Sequence, residues 1–343
     1  MSSTVLVTGP SLVDEAVRLL VEAGHTPVYV PPYSGGDALL QAVREASPVG
    51  IISRMGRLDA AAFDAAPNLR VVSKHGVGVD NIDLDAATSR GVSVLVASGA
   101  NAVSVAEHAM ALLLAVAKRV VPLDRSLREG RWEKPGFQGR ELAGSTLGLV
   151  GFGAIARATA GFARAFGLRV QAYDPFAPAE AFAEDNVERV EDLDALLATS
   201  DVVSLHCPLT PSTRHLLNAA SVARMKPGAI VVNTARGGLI DEAALLEALR
   251  SGHLAGAGLD SFEQEPPAPD HPFWAEPRVV ATPHIGGVTA EANARVGVEA
   301  AQGVIDVLAG RGVPPSRVVN RAGLLARSEN AANPAPATER AAP

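Results

Sequence analysis

Apolar and polar positions follow two rhythms that take turns along the chain. Short β-branched and aliphatic runs at residues 4–8, 27–30, 50–53, 70–73 and 92–96 read as strands. Between them, residues 12–23 and 37–46 space their apolar side chains three and four apart, as helices do. Strands separated by helices pair in parallel and are covered on both faces. Asn101 is placed to cap a long apolar helix running to about Val120. The rhythm stops over residues 122–145, which are rich in Arg, Gly and Pro, contain Trp132 and read as a connection. It restarts at Thr146 with a strand at 146–150, a helix at 154–166 and a strand at 169–173. Further strands follow at 202–205, 229–233, 255–259 and 279–281, and a last helix covers about 288–309. Beyond Gly323 the Ala/Pro/polar stretch LLARSENAANPAPATERAAP lacks a period and reads as a disordered tail. No repeat of solenoid length is visible.

The restart carries the first chemical signal. The strand ending at Val150 runs straight into Gly151-Phe152-Gly153-Ala154-Ile155-Ala156 and then a helix, the G-x-G-x-x-G/A arrangement in its expected setting. Gly151 permits the tight turn, and Gly153 lets a pyrophosphate approach the helix N-terminus, whose free N–H groups and dipole favour anions. Asp174 ends the next strand, 18 residues beyond Ala156. An acid there accepts from ribose hydroxyls and repels a 2′-phosphate, so NAD is expected over NADP.

Three residues of complementary type follow three later strands of the same half: Arg236, Glu265 and His284. In open parallel sheets, ligands bind beyond the carboxyl ends of strands. Reduction of a 2-oxo acid needs a cation for the carboxylate, an acid for the carbonyl oxygen, and a carboxylate that orients and charges that acid. Arg236, His284 and Glu265 supply these types, and a carboxylate beside His raises its pKa. Taken singly, each also reads as a solvated charge or a satisfied loop histidine.

Composition narrows the partners. The 343 residues make about two domains. A net charge of −7 argues against nucleic acid or an anionic membrane as the main partner. Of the 30 basic residues 26 are Arg and four are Lys, so a lone Arg is weak support and spacing must carry the argument. A single cysteine, Cys207, excludes a disulfide framework and a cysteine metal cluster, and no metal is expected. The N-terminus has no basic n-region, and the longest apolar run, residues 109–117, is too short to span a bilayer. A cytoplasmic protein is expected.

The segments VSKHGVGVDNID, NAVSVAEH, LGLVGFGAIA, HCPLT, VVNTARGGLID, GLDSFEQEP and TPHIGG resemble, in order over about residues 45–300, the motifs of the D-isomer-specific 2-hydroxyacid dehydrogenases, nearest the D-3-phosphoglycerate dehydrogenase type. The resemblance implies an α/β fold of two doubly wound parallel-sheet domains with a cleft between them. One is a flavodoxin-like substrate domain of residues 1–99 plus 290–323, the other a Rossmann NAD-binding domain of residues 100–289, followed by the tail 324–343. It implies that Arg236 binds the substrate carboxylate, Glu265 orients His284, and His284 donates the proton. Backbone N–H groups within Gly76-Val77-Gly78 would hold the carboxylate, as bare backbone can. Ser104, Gly151, Gly153, Ala154, Ile155, Asp174, Cys207, Thr234, Ala235, Asp260 and Gly286 match cofactor positions, with Asp260 on the nicotinamide amide. Ala154 departs from the arginine many members carry, so weaker cofactor binding is expected. A homodimer is implied, with the helix after Asn101 and the Trp132 segment as contacts.

Arg54 follows the strand 50–53, where phosphoglycerate-type enzymes place a phosphate-binding arginine. With Arg57 and Lys74 it suits a small-molecule substrate carrying a second anionic group. The expected reaction is NAD-dependent interconversion of 3-phosphoglycerate and 3-phosphohydroxypyruvate. Alternatives are a glyoxylate/hydroxypyruvate reductase or another D-2-hydroxyacid dehydrogenase, and, outside enzymes, an NAD-sensing corepressor-like binding protein. Fold alone does not separate these classes.

Overall fold

The computed structural model describes residues 3–32, 34 and 36–332. In chain order, β1 (Ser3–Val7), α1 (Asp14–Glu22), β2 (His25–Tyr29), α2 (Gly36–Ala46), β3 (Gly50–Ser53), α3 (Ala60–Asp64), β4 (Val71–Lys74), α4 (Leu84–Ser89) and β5 (Ser93–Leu95) come first. Then follow α5 (Ala102–Ala117), α6 (Val120–Arg128), β6 (Thr146–Val150), α7 (Ala154–Ala165), β7 (Arg169–Tyr173), α8 (Ala179–Glu184) and β8 (Glu188–Arg189). Next are α9 (Leu193–Thr199), β9 (Val202–Leu205), α10 (Ala219–Val222), β10 (Ala229–Asn233), α11 (Glu242–Arg250), β11 (Leu254–Leu259) and β12 (Val279–Ala281). Two helices end the described chain, α12 (Ala290–Leu308) and α13 (Arg321–Ala332).

These elements divide into two compact units: a discontinuous one, made of residues up to Asn101 and from Ala290 on, and a continuous one, Ala102–Thr289. The discontinuous unit holds a five-stranded parallel sheet in the order β2-β1-β3-β4-β5, the flavodoxin-like winding. Its strands alternate faces. Leu6, Ile51 and Val72 join one apolar cluster, while Val5, Val7, Ile52 and Val71 join another that α1 and α12 close with Ala16, Leu20, Ala300, Ala301, Val304 and Ile305. The continuous unit holds a seven-stranded parallel sheet, β12-β11-β10-β9-β6-β7-β8. Its winding reverses between β6 and β9, as in the Rossmann fold. Ile230 and Val232 of β10 face one cluster, Ala229 and Val231 the other. Both faces of the inner strands of both sheets are thus covered, which is why those strands read as runs of mostly apolar residues.

Three expectations change. The long helix after Asn101 ends at Ala117; Arg119 takes a left-handed conformation (φ 53°), unfavourable for a side chain that continues a helix, and α6 begins at Val120 where a connection was expected. Asn101 does not cap α5 through its amide oxygen, since Oδ1 is buried with no hydrogen-bond partner among the described residues. The disordered tail from residue 324 is corrected as far as residue 332. Residues there are good helix formers and continue α13, which lies so close on α4 that a Cβ on Gly323 would meet Thr88 Cγ2 at 2.6 Å. Arg327 also donates to the Ser89 carbonyl. Residues 333–343 lie outside the described residues. Among the described residues, no helix is long and apolar enough to cross a membrane.

Candidate active site

In the continuous unit every predicted residue that follows a strand lies at a carboxyl end of the one sheet. β6 leads into Gly151, whose φ of 89° suits glycine; a Cβ there would come within 2.8 Å of the Cys207 backbone nitrogen after β9. The turn therefore sits where the winding reverses, with no room for a side chain. Gly153 is the N-cap of α7 and offers no side-chain cap, and a Cβ there would meet only open space. The first amides of α7 thus face outward as an anion-binding terminus, with Ala154 exposed and Ile155 half-buried beside them. Asp174 opens the loop after β7 and is tied down by three backbone amides. Phe152 donates to Oδ2 (2.8 Å), Phe176 (2.9 Å) and Ala177 (3.1 Å) to Oδ1. A carboxylate accepts about four hydrogen bonds, so one acceptor position remains for a ribose hydroxyl.

After β10, Asn233 is fully buried and shapes the turn that follows. Its Oδ1 accepts from the Ala235 amide (3.0 Å) and its Nδ2 donates to the Arg236 carbonyl (2.9 Å). Thr234 Oγ1 is buried without a hydrogen-bond partner among the described residues, a hydroxyl left over for a ligand. Arg236 Nη1 donates to the Ala235 carbonyl (2.7 Å). The next residue, Gly237, lies against the Phe262–Glu263 backbone so closely that a Cβ would overlap it. This contact carries the Arg236 turn onto the loop that bears Glu265.

Glu265 divides its oxygens. Oε1 accepts from the Phe262 amide (3.0 Å), which fixes the loop, and Oε2 pairs with His284 Nδ1 at 2.8 Å. An ionised carboxylate only accepts, so Nδ1 carries a hydrogen and Nε2 is the nitrogen left to exchange protons. The hydrogen bond from Glu265 raises the His284 pKa, against burial; the charges of Glu265 and Asp260 add to the rise and Arg236 opposes it. Burial pushes Glu265 upward, but its bond to His284 and the charges of His284 and Arg236 bring it below the ordinary value. Arg236, Glu265 and His284 therefore act on one another at a single site. His284 itself is left-handed (φ 55°), a strained conformation for a side chain that big.

Asp260, 1% exposed, holds that strained turn from below. Its Oδ1 accepts from Thr282 Oγ1 (2.6 Å) and the Ile285 amide (2.9 Å), its Oδ2 from the Gly286 amide (2.7 Å). One lone-pair position on Oδ2 has no hydrogen-bond partner among the described residues. Burial raises the Cys207 thiol to about 11, so it is an inert neighbour of the glycine turn. Ser104 on α5 shares a 2.8 Å hydrogen bond with Thr289. The open α7 terminus, the unpartnered Thr234 hydroxyl and the flush approach at Gly151 fit a bound dinucleotide. Among the described residues, no group of His, Cys, Asp or Glu is arranged to hold a metal.

In the discontinuous unit, Arg54, Lys74 and the Gly76–Gly78 loop also lie at carboxyl ends, those of β3 and β4. The Arg54 amide donates to Thr8 Oγ1 (2.9 Å) and its guanidinium to the Ser11 carbonyl, passing over Gly9. Lys74 Nζ donates to Asn81 Oδ1 (2.7 Å), and Asn81 is anchored by its bond to the Gly56 carbonyl (2.6 Å). His75 is lowered to about 4 by burial first, then by the charge of Arg54 and, more weakly, of Lys74. These cations thus create a positive potential at one edge of this sheet. Val77 and Arg57 are exposed and Gly78 is half-buried. Sequence reasoning missed Asn81, Asn233 and His108. The first lies in the quoted loop motif and the second in the quoted strand. His108 sits one helical turn beyond Ser104, on the same side of α5, a spacing that singles it out only once the facing strand is known.

The sequence profile described as "D-isomer specific 2-hydroxyacid dehydrogenase, NAD binding domain" matches residues 110–286. The chain is 44% identical over 270 residues to D-3-phosphoglycerate dehydrogenase of Archaeoglobus fulgidus, covering 79% of this chain and 51% of the relative. It is 46% identical over 287 residues to hydroxypyruvate reductase of Thermotoga maritima, covering 83% of this chain and 92% of the relative. The TT0316 protein of Thermus thermophilus shares the fold with a TM-score of 0.83 and 41% identity, over 92% of this chain and 99% of the other. The chain spans about half the length of the D-3-phosphoglycerate dehydrogenases it matches. With the glycine turn, the Rossmann winding and this likeness together, the chain belongs to the D-isomer specific 2-hydroxyacid dehydrogenase family and carries its NAD-binding domain.

Proposed function

We propose that the protein is an NAD-dependent oxidoreductase that interconverts a D-2-hydroxy acid and its 2-oxo acid, with 3-phosphoglycerate and 3-phosphohydroxypyruvate as the pair it serves. The observation that carries this reading is the 2.8 Å His284–Glu265 contact with Arg236 acting on both. Arg236 binds the substrate carboxylate and polarises the neighbouring carbonyl, which a planar guanidinium does with two parallel donors. His284 gives its Nε2 proton to the carbonyl oxygen during reduction and takes the hydroxyl proton during oxidation. Glu265 keeps the imidazolium oriented and charged between these steps. NAD, when bound, supplies the hydride acceptor and, as NADH, the hydride. Gly151, Gly153, Ala154 and Ile155 take its pyrophosphate, and Asp174 its ribose. Ser104, Cys207, Thr234, Ala235, Asp260 and Gly286 surround the rest.

Arg54 and Lys74 hold the substrate's second anionic group, and the amides of Val77 and Gly78 its carboxylate. The charges of Arg54 and Lys74, which add to burial in lowering His75, support a doubly anionic substrate. A hydroxypyruvate reductase is the second reading, favoured by the Thermotoga maritima relative, whose length the chain nearly spans. We further infer a cytoplasmic homodimer. Its contact surface includes Val120, Val121 and Leu127 of α6 and Trp132, large apolar side chains that are more than half exposed.

NADH absorbance followed with phosphohydroxypyruvate, hydroxypyruvate and glyoxylate tests the reading. The expected result is turnover with all three and the highest kcat/KM for the phosphorylated acid. No turnover on any 2-oxo acid, with NADH still bound, would leave a cofactor-sensing protein instead.

A further inference from the structure

α5 crosses β11 in an unusually close register. A Cβ on Gly256 would lie 2.5 Å from Val116 Cγ1, and one on Gly258 would lie 2.8 Å from Leu112 Cβ. Only glycine lets the helix lie this flat on the strand. One further step in the same register pairs His108 with Asp260, at the carboxyl end of β11. Four helical residues advance about 6 Å and two strand residues about 6.6 Å, so the match holds from one pair to the next.

His108 Nε2 stands 2.8 Å from Thr282 Oγ1 and 3.4 Å from Asp260 Oδ1. The threonine hydroxyl has one hydrogen, and it donates that hydrogen to Asp260 Oδ1 at 2.6 Å. Thr282 must therefore accept from His108, so Nε2 carries a hydrogen and the order runs from His108 to Thr282 to Asp260. The same carboxylate takes the amides of Ile285 and Gly286. His284, left-handed and strained, lies between Thr282 and Ile285 and so between two anchors of one buried acid. Gly286 seals the arrangement: a Cβ there would meet Asp260 Oδ2 at 3.0 Å and His108 Cδ2 at 3.3 Å.

We infer that His108 is a positioning residue: through Thr282 and Asp260 it holds the left-handed His284 turn and so sets where His284 presents Nε2. The inference rests on the dehydrogenase reading above, but its structural half does not need turnover. The charged groups that act on His284 are Glu265, Arg236 and Asp260. Releasing Asp260 disturbs one of these while leaving the Glu265 bond intact.

The test compares His108→Ala and His108→Gln, the latter keeping a side-chain N–H donor. In oxo-acid reduction, His108→Ala is expected to lower kcat roughly ten- to a hundredfold with a smaller change in KM, since misplacing a reacting group by about 1 Å costs up to about 10²-fold. The high-pH limb of its rate profile is expected to move to lower pH, and His108→Gln to recover most of both. The NMR titration of the His284 ring, followed in the cofactor-free protein, is expected to shift its midpoint downward in His108→Ala alone. That midpoint is readable even if no oxo acid turns over, which separates failure of this inference from failure of the proposed activity. A wild-type midpoint and rate in His108→Ala, or a loss in His108→Gln equal to that in His108→Ala, would overturn the inference.

Discussion

His284 and His75 both occupy loops that leave the carboxyl ends of parallel strands, yet their surroundings drive them to opposite protonation. His284 meets a carboxylate at Nδ1 and its pKa rises. His75 meets burial and two cations and falls to about 4. One residue type is thus held toward its charged form in one unit and toward its neutral form, beside two cations, in the other. The difference lies in what each loop packs against. The His284 turn folds onto two acids, the buried Asp260 and the more exposed Glu265. His75 lies between Arg54 and Lys74 and packs its Nε2 edge near Gly297 of α12, where a Cβ would stand 3.5 Å away. A loop histidine therefore says little until the charges around it are known.

The contrast breaks most completely if the His284 ring is removed. His284→Ala is expected to reduce kcat for oxo-acid reduction by roughly 10²–10⁴-fold, the usual worth of a positioned acid; steady-state rates decide this. Glu265→Gln keeps the shape and removes the charge. It is expected to cost about 10–100-fold in kcat and to move the high-pH limb of reduction to lower pH, because the imidazolium loses its partner. In the wild type that limb is expected above pH 6.5, with oxidation showing the mirror-image rise. A limb unmoved by Glu265→Gln would assign the raised pKa to another group.

Arg54→Ala sharpens the other half. It is expected to raise KM for phosphohydroxypyruvate by about tenfold, the order of one charge-assisted contact, and to change glyoxylate much less. The smallest effect concerns stability. His284's folded pKa lies above its ordinary 6.5, so its pairing stabilises fully below pH 6.5 and fades as pH rises through the raised value. His75 runs the other way. The unfolded chain takes up its proton near 6.5 and the folded chain near 4, so stability falls as pH drops across that window. The slope is about 1.4 kcal/mol per pH unit while one proton differs. Denaturant melts of His75→Gln between pH 4 and 6.5 are expected to show a shallower decline than wild type.

Much of this was legible in the chain itself. The strand 146–150 and those at 169–173, 202–205, 229–233 and 279–281 match β6, β7, β9, β10 and β12 residue for residue, because the strands of a sheet covered by helices are written largely in apolar residues. Arg236, Glu265 and His284 could be singled out because each follows such a strand, and parallel strands all end on one edge. The two-residue β8 and the helices α3, α4, α8, α9 and α10, of four to seven residues, were not read, since so short a stretch carries too little periodicity; the nine-residue α11 was not read either. Several of them declare themselves instead through caps such as Asp59, Asp83, Asp192 and Asn218. The break at Arg119 depends on one backbone angle, which an apolar pattern does not encode. Asn233 and Asn81 act on backbone a few or tens of residues away, and His108 on residues more than 150 positions further on. Such roles come from packing, not from local pattern.

α12 supplies Ala300, Ala301, Val304 and Ile305 to a face whose strand members, Val5, Val7, Ile52, Val71 and Leu95, were made some 200 residues earlier or more. A ribosome emits the continuous unit whole before that helix appears. The first sheet to be synthesised is therefore the last to be sealed, and during translation its open face is the surface that a chaperone would have to shield.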